Sequence, residues 1–139
     1  LGVVRLDVDR SFVVADLPGL IEGAADGAGL GHRFLRHIDR TALFIFLVTQ
    51  SLEPGRTPMK DFDALRHELT TYDASLSKRP FIIVLSQCDR PEVFEQLSEL
   101  KAKFEGISPV MGISSVTGLG LKELLSQVSE FLSQSGRWQ

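Results

Sequence analysis

The segment Phe12–Gly19 constrains the fold of this chain more than any other. The run of apolar and small residues at its start predicts a buried strand. That strand ends abruptly in Asp16, and Pro18 and Gly19 then turn the chain into a glycine-rich loop. Ligands of open α/β sheets bind at the carboxyl ends of strands. A carboxylate there, followed by a glycine whose N–H can approach a phosphate, indicates a Mg²⁺-dependent nucleotide site.

Length and composition predict one ordinary globular domain. The chain has 139 residues, of which 43% are hydrophobic and 24% charged, and its net charge of −3 does not favour nucleic acid. The single cysteine, Cys88, excludes a disulfide framework and fits a reducing cytoplasm. The longest apolar run, Ala42–Val48, is too short to span a bilayer. Because Leu1 is not a methionine, we expect a piece of a longer protein.

Strands and helices alternate along the chain. The apolar patterns predict strands at Val3–Leu6, Phe12–Ala15, Ala42–Val48, Phe81–Leu85 and Val110–Ile113, the first two forming a hairpin. They predict helices at Leu30–Ile38, Phe62–Tyr72, Pro91–Phe104 and Leu121–Leu132. The continuous run from Ala42 to Val48 is typical of a strand covered on both faces. The alternation predicts an α/β fold with a doubly wound, mostly parallel sheet and helices on both faces.

Three strand ends carry polar residues with loop character. They are Asp16–Gly19, Ser86–Asp89 and Ser114–Val116. Because the carboxyl ends of parallel strands meet at one edge of the sheet, we expect these three segments to form one ligand site.

The segment that begins at Asp16 resembles the switch region of the Obg family of GTPases. The similarity covers Asp16-Leu17-Pro18-Gly19-Leu20 and continues through the glycine-rich loop to Thr41. The resemblance implies a Ras-like P-loop GTPase domain that lacks its first strand and helix. It implies a partial G domain over residues 1–134 and a flexible tail over 135–139.

The resemblance also implies roles for the switch residues. Asp16 matches the acid that holds Mg²⁺ through a water molecule, and Gly19 matches the residue whose N–H meets the γ-phosphate. Leu17 and Pro18 lie between them in the nucleotide-contacting segment. Leu20 stands where many Ras-like proteins have a glutamine that orients the attacking water. Gly19 and Leu20 therefore stand at the catalytic switch position, but neither has a side chain that can act as a catalyst. The resemblance thus implies slow GTP hydrolysis.

The segment Ser86–Asp89 takes the place of the family's Asn-Lys-x-Asp guanine-recognition motif. A carboxylate at Asp89 can accept two hydrogen bonds from guanine and so exclude adenine. Ser86 is shorter than asparagine, and Gln87 keeps an aliphatic stem to lie on the base but loses the lysine charge. In the alternative interpretation, Asp89 only caps the helix that begins at Pro91.

The segment Ile113–Val116 matches the last base-contacting motif. In the family a backbone N–H of this motif approaches the guanine O6, so Ser114, Ser115 and Val116 are expected beside the base. A Ser-Ser turn after a strand is also commonplace, and the motif alone is a weak signal.

The phosphate loop is the main departure from the family pattern. The 139 residues contain no Gly-x-x-x-x-Gly-Lys-Ser/Thr sequence, which the resemblance places upstream. We therefore expect this chain alone to bind GTP or GDP poorly and to hydrolyse GTP negligibly, whereas the longer protein would be a slow Mg²⁺-dependent GTPase. The missing strand would leave sheet edges open to self-association.

The sequence leaves two hypotheses about function. The resemblance implies a switch that works with the large ribosomal subunit or its RNA, and the basic segment His32–Arg40 could serve that contact or be an ordinary solvated face. The altered Ser86–Asp89 motif is also compatible with a degenerate, non-catalytic interaction module that keeps only the fold.

Overall fold

A computed structural model describes the backbone of residues 2–5, 11–14, 41–50 and 54–135. The predicted switch residues Asp16–Leu20 and the predicted helix Leu30–Ile38 lie outside the described residues.

The first two strands form an antiparallel hairpin. Strand β1 covers Gly2–Arg5 and strand β2 covers Ser11–Val14, with Gly2 opposite Val14. The predicted hairpin is confirmed, and β2 is the strand that leads towards Asp16.

Three further strands form a parallel sheet in the order β3-β4-β5. Strand β3 covers Phe44–Val48, β4 covers Phe81–Leu85 and β5 covers Val110–Gly112. Both neighbouring pairs are parallel. Their carboxyl ends therefore meet at one edge, as the sequence predicts.

Helices connect these strands. Helix α1 covers Pro58–Tyr72 and is followed by a 3₁₀ turn at Ala74–Lys78; α2 covers Pro91–Phe94, α3 covers Leu97–Lys103 and α4 covers Leu121–Ser135. Thr57 caps α1 by accepting a hydrogen bond from the Lys60 N–H, and proline stands at the first helical position.

The single helix predicted from Pro91 to Phe104 is wrong, because the chain turns at Glu95 and Gln96. The Gln96 N–H donates to the Val93 carbonyl, three residues back rather than four. Its side chain donates to Gln50 after β3, and this contact outside the helix favours the tighter turn.

The core lies on both faces of β4. Ile83 and Leu85 pack in a cluster with Phe46 of β3 and with residues of α1, α2 and α3. Ile82 and Val84 point to the other face and pack with α4. This alternation confirms an α/β sheet with helices on both faces.

Strand β3 is not covered on both faces, contrary to the prediction. Ile45 and Leu47 are 39% and 59% exposed. The parallel register places them beside Ile82 and Val84, on the α4 face. The apolar residues of α4 pack with β4 and β5, so this face of β3 stays open.

Helix α4 extends through Ser135, the first residue of the predicted tail, and residues 136–139 lie outside the described residues. Within the described ranges, we find no helix with the length and hydrophobicity needed to cross a membrane.

Candidate functional site

The loops that follow β4 and β5 form one structural unit. The Cys88 N–H donates to the Ile113 carbonyl at 2.9 Å, and the Ile113 N–H donates to the Leu85 carbonyl at 2.9 Å. Two of the three predicted site segments, Ser86–Asp89 and Ser114–Val116, are thus brought together at the carboxyl edge of the sheet.

Asp89 is held in place by a buried serine. The Ser114 side chain has no exposed surface, and its Oγ donates to Asp89 Oδ1 at 2.9 Å while accepting the Thr117 N–H at 3.2 Å. Asp89 itself is exposed, and its Oδ2 makes no hydrogen bond to any residue of the described ranges. Arg90, not Asp89, is the N-cap residue of α2. The capping interpretation of Asp89 is therefore wrong, and among the described residues only Oδ1 of its carboxylate has a hydrogen-bond partner.

Replacement of Ser114 by alanine is expected to lower the free energy of unfolding by about 1–2 kcal/mol, because the Thr117 N–H loses its acceptor and Asp89 its donor. Urea denaturation followed by circular dichroism measures this loss. Ser115→Ala is the control, since its exposed side chain should change stability by less than about 0.5 kcal/mol. Equal stabilities of the two variants would contradict the assigned role of Ser114.

The turn after β5 leaves backbone donors available. The Gly118 N–H donates to the Ser114 carbonyl at 2.9 Å and closes the turn. Within the described part of the chain, the N–H groups of Ser115 and Val116 donate to no protein atom. Val116 is 81% exposed. This segment can therefore offer main-chain donors beside an apolar side chain.

Ser86 and Gln87 make different contacts. The Ser86 N–H and Oγ both donate to the Val48 carbonyl, at 2.8 and 3.3 Å, and tie β4 to β3. Gln87 is exposed and has a positive φ of 60°, and its Oε1 accepts a hydrogen bond from Arg90. Sequence reasoning missed Arg90; its only signal was its position directly after Asp89.

Cys88 is a buried structural residue. It is 5% exposed, its Sγ donates to the Leu85 carbonyl, and burial raises the pKa of its thiol. A raised pKa keeps the reactive thiolate scarce.

We therefore expect native Cys88 to react with iodoacetamide at least about tenfold more slowly than the urea-unfolded chain at the same pH. Mass spectrometry of timed samples measures the two rates. Equal rates would contradict the burial of this thiol.

The residues predicted to bind Mg²⁺ and the γ-phosphate lie outside the described ranges. This applies to Asp16, Leu17, Pro18, Gly19 and Leu20. Across the residues that the structure does describe, no group of three or more histidine, cysteine or acidic side chains could hold a metal ion.

Comparison with known proteins decides the family. A family model described as "50S ribosome-binding GTPase" matches residues 2–87, which include β1 to β4 and the start of the guanine-recognition segment. The chain belongs to this family. Among the 50S ribosome-binding GTPases, it is similar to the Obg proteins, as the switch sequence predicts.

Three Obg relatives illustrate the similarity. The chain is 48% identical over 132 residues to the GTPase Obg of Bacillus velezensis, and equally so to that of Listeria welshimeri. It is 46% identical over 132 residues to the GTPase Obg of Bacillus pumilus. Each match covers 95% of this chain but 31% of the relative. The chain thus spans about a third of the length of these relatives.

Proposed function

We propose that this chain is the guanine-reading part of an Obg-type molecular switch that binds and hydrolyses GTP. The observation that carries the proposal is the exposed Asp89 carboxylate, which Ser114 holds through Oδ1 and whose Oδ2 has no partner among the described residues. The family membership and the Obg relatives support it.

The donor and acceptor pattern suits guanine. The guanine N1–H and 2-amino group are adjacent donors, and the two oxygens of Asp89 accept both in a charge-assisted pair. The main-chain N–H groups of Ser115 and Val116 are then available to the guanine O6. Adenine presents an acceptor at N1 and a donor amine at C6, so it would leave the Asp89 carboxylate and these N–H groups without partners.

The phosphate end of the site is proposed from the sequence. Asp16 would hold Mg²⁺ through a water molecule, and the Gly19 N–H would meet the γ-phosphate, with Leu17 and Pro18 setting the turn between them. Mg²⁺ would neutralise charge on the phosphates. Leu20 cannot orient an attacking water, so hydrolysis is slow without another group or a partner.

The wider role is part of the same proposal. Residues 1–134 form part of a G domain in a cytoplasmic protein, and its partner is the large ribosomal subunit or its RNA. The half-exposed side chains of Ile45 and Leu47 support self-association of this chain when the adjoining strand and helix of a complete G domain are absent.

Titration with a fluorescent GDP analogue and Mg²⁺ tests the proposal. Two polypeptides are compared: this chain, and an extended chain that carries a family-type phosphate loop with its strand and helix ahead of Leu1. We expect weak binding by the first and tight binding by the second, with displacement by GTP and not by ATP.

The alternative outcome is equally specific. If the extended chain folds but binds no nucleotide, or if ATP displaces the analogue as well as GTP does, the proposal fails. A folded chain that binds no nucleotide would make the non-catalytic interaction module the better account.

A further inference from the structure

The residue after Asp89 has a side chain that contacts the guanine-recognition segment. We propose that Arg90 is a positioning residue of the guanine site, which holds the Gln87 side chain where its stem covers the base. This inference rests on the function proposed above and adds to it a residue that compensates for the missing lysine of the recognition motif.

Arg90 is anchored on three sides. Its Nη1 donates to Gln87 Oε1 at 2.8 Å and to the Gln50 carbonyl at 3.3 Å, and its Nε donates to Glu92 Oε1 at 2.8 Å. The side chain is only 28% exposed. The guanidinium is a rigid, planar group, and its contacts with Gln50 and Glu92 hold it in one orientation, so its bond to Gln87 Oε1 restricts the position of that oxygen.

The Gln50 anchor is itself well supported. Its side-chain oxygen accepts a hydrogen bond from Gln96 Nε2 at 2.8 Å, and its Nε2 donates to the Arg56 carbonyl at 2.8 Å. Arg90 therefore connects the segment after β4 to an ordered polar network after β3, and Gln87 is attached to that network through Arg90.

The contact also fixes the orientation of Gln87. Arginine has only donors, so the amide oxygen of Gln87 must face Arg90 and its NH₂ group must point away. That NH₂ group bonds to no residue of the described ranges. The left-handed backbone at φ 60° is a conformation that non-glycine residues adopt rarely and at a cost. Because both the backbone and the terminal amide of Gln87 are constrained, the aliphatic carbons between them are held in place before the base binds.

Arg90 further supplies a positive charge at the end of the Gln87 side chain, where the family motif has the lysine ammonium. The Glu92 carboxylate offsets part of that charge. We therefore expect Arg90 to affect guanine binding mainly by positioning Gln87, and only weakly by direct electrostatic attraction between its guanidinium and the base.

Titration of the full ¹⁵N-labelled chain with guanosine, followed by amide chemical shifts, tests the inference. Guanosine lacks phosphates, so the missing phosphate loop does not enter the measurement. Arg90→Met keeps an unbranched stem but loses every donor, and its apparent affinity for guanosine should fall by about fivefold or more. Arg66→Met is the matched control, since it removes an arginine whose bond is to the Ser77 carbonyl, and its affinity should stay within about twofold.

A second substitution separates positioning from general structure. Gln87→Lys in the Arg90→Met background should restore at least half of the lost affinity, because lysine brings its own longer stem and charge. In the wild-type background the same change should give no gain, because the lysine ammonium would lie beside the Arg90 guanidinium.

The outcomes are distinguishable. If the wild-type chain binds guanosine in preference to adenosine and Arg90→Met binds it equally well, only the role of Arg90 is overturned. Failure of Gln87→Lys to rescue the folded Arg90→Met chain would also overturn it. If the wild-type chain shows no preference for guanosine, the proposed function and this inference both fail.

Discussion

Replacement of Gly120 by alanine is expected to destabilise the chain by about 3 kcal/mol or more. Gly120 lies between β5 and α4 with a positive φ of 75°. A Cβ atom there would lie 2.1 Å from the Gly112 carbonyl oxygen, which is main chain and cannot move aside cheaply. The variant therefore has both an unfavourable backbone conformation and a steric overlap. The Gly120 carbonyl also accepts the Leu124 N–H at 3.0 Å, so a shift of this residue disturbs the first turn of α4.

Gly118→Ala is the matched control for this prediction. Gly118 has a similar φ of 81°, but a Cβ atom there would meet nothing within 4 Å. The Gly118→Ala variant should lose only about 1 kcal/mol of its free energy of unfolding, because alanine pays for the positive φ but meets no steric overlap. Urea denaturation of the two variants measures the difference. Equal losses would mean that Gly120 and Gly112 are not in close contact.

Replacement of Asp89 by asparagine is expected to weaken GDP binding by the extended chain about 100-fold or more. The change removes two charge-assisted hydrogen bonds to the guanine donors and places an amide NH₂ against one of them. Xanthine carries an oxygen at C2 in place of the amine, so the variant should bind xanthosine diphosphate better than the wild type does.

Asp73→Asn is the matched control for Asp89→Asn. Both aspartates are exposed and accept a hydrogen bond from a serine hydroxyl, that of Ser75 at 2.8 Å in the case of Asp73. Asp73 begins the 3₁₀ turn rather than the base loop, so its variant should bind GDP with unchanged affinity. Competition with unlabelled nucleotides measures both. An Asp89→Asn chain that keeps its GDP affinity would remove this carboxylate from the binding site.

Local patterns in the sequence predicted most of the fold. Continuous apolar runs gave the hairpin and the three parallel strands, and the helix predicted from Pro91 begins at that residue. The helix predicted over Phe62–Tyr72 begins earlier, at Pro58. Patterns of this kind report which residues are buried. They do not report what covers them, and so the open side of β3 at Ile45 and Leu47 was missed.

The sequence predicted residues of the candidate site and where they lie in the sheet, but not the hydrogen bonds between them. The sequence placed Asp89 and Ser114 at neighbouring strand ends. It did not show their hydrogen bond, because the two residues lie 25 positions apart in the chain. The turn at Gln96 and the anchoring of Arg90 both depend on Gln50, which lies 46 and 40 residues away. Such contacts follow from tertiary packing and have no local signal.

Amide chemical shifts of the ¹⁵N-labelled chain with guanosine, inosine and adenosine test most directly whether Asp89 reads guanine. Inosine keeps the N1–H of guanine and lacks its 2-amino group, so it should bind more weakly than guanosine, and adenosine should not bind. The amides that shift should be those of residues 86–89 and 114–117. Equal responses to guanosine and adenosine, or shifts confined to other parts of the chain, would contradict a guanine site at Asp89.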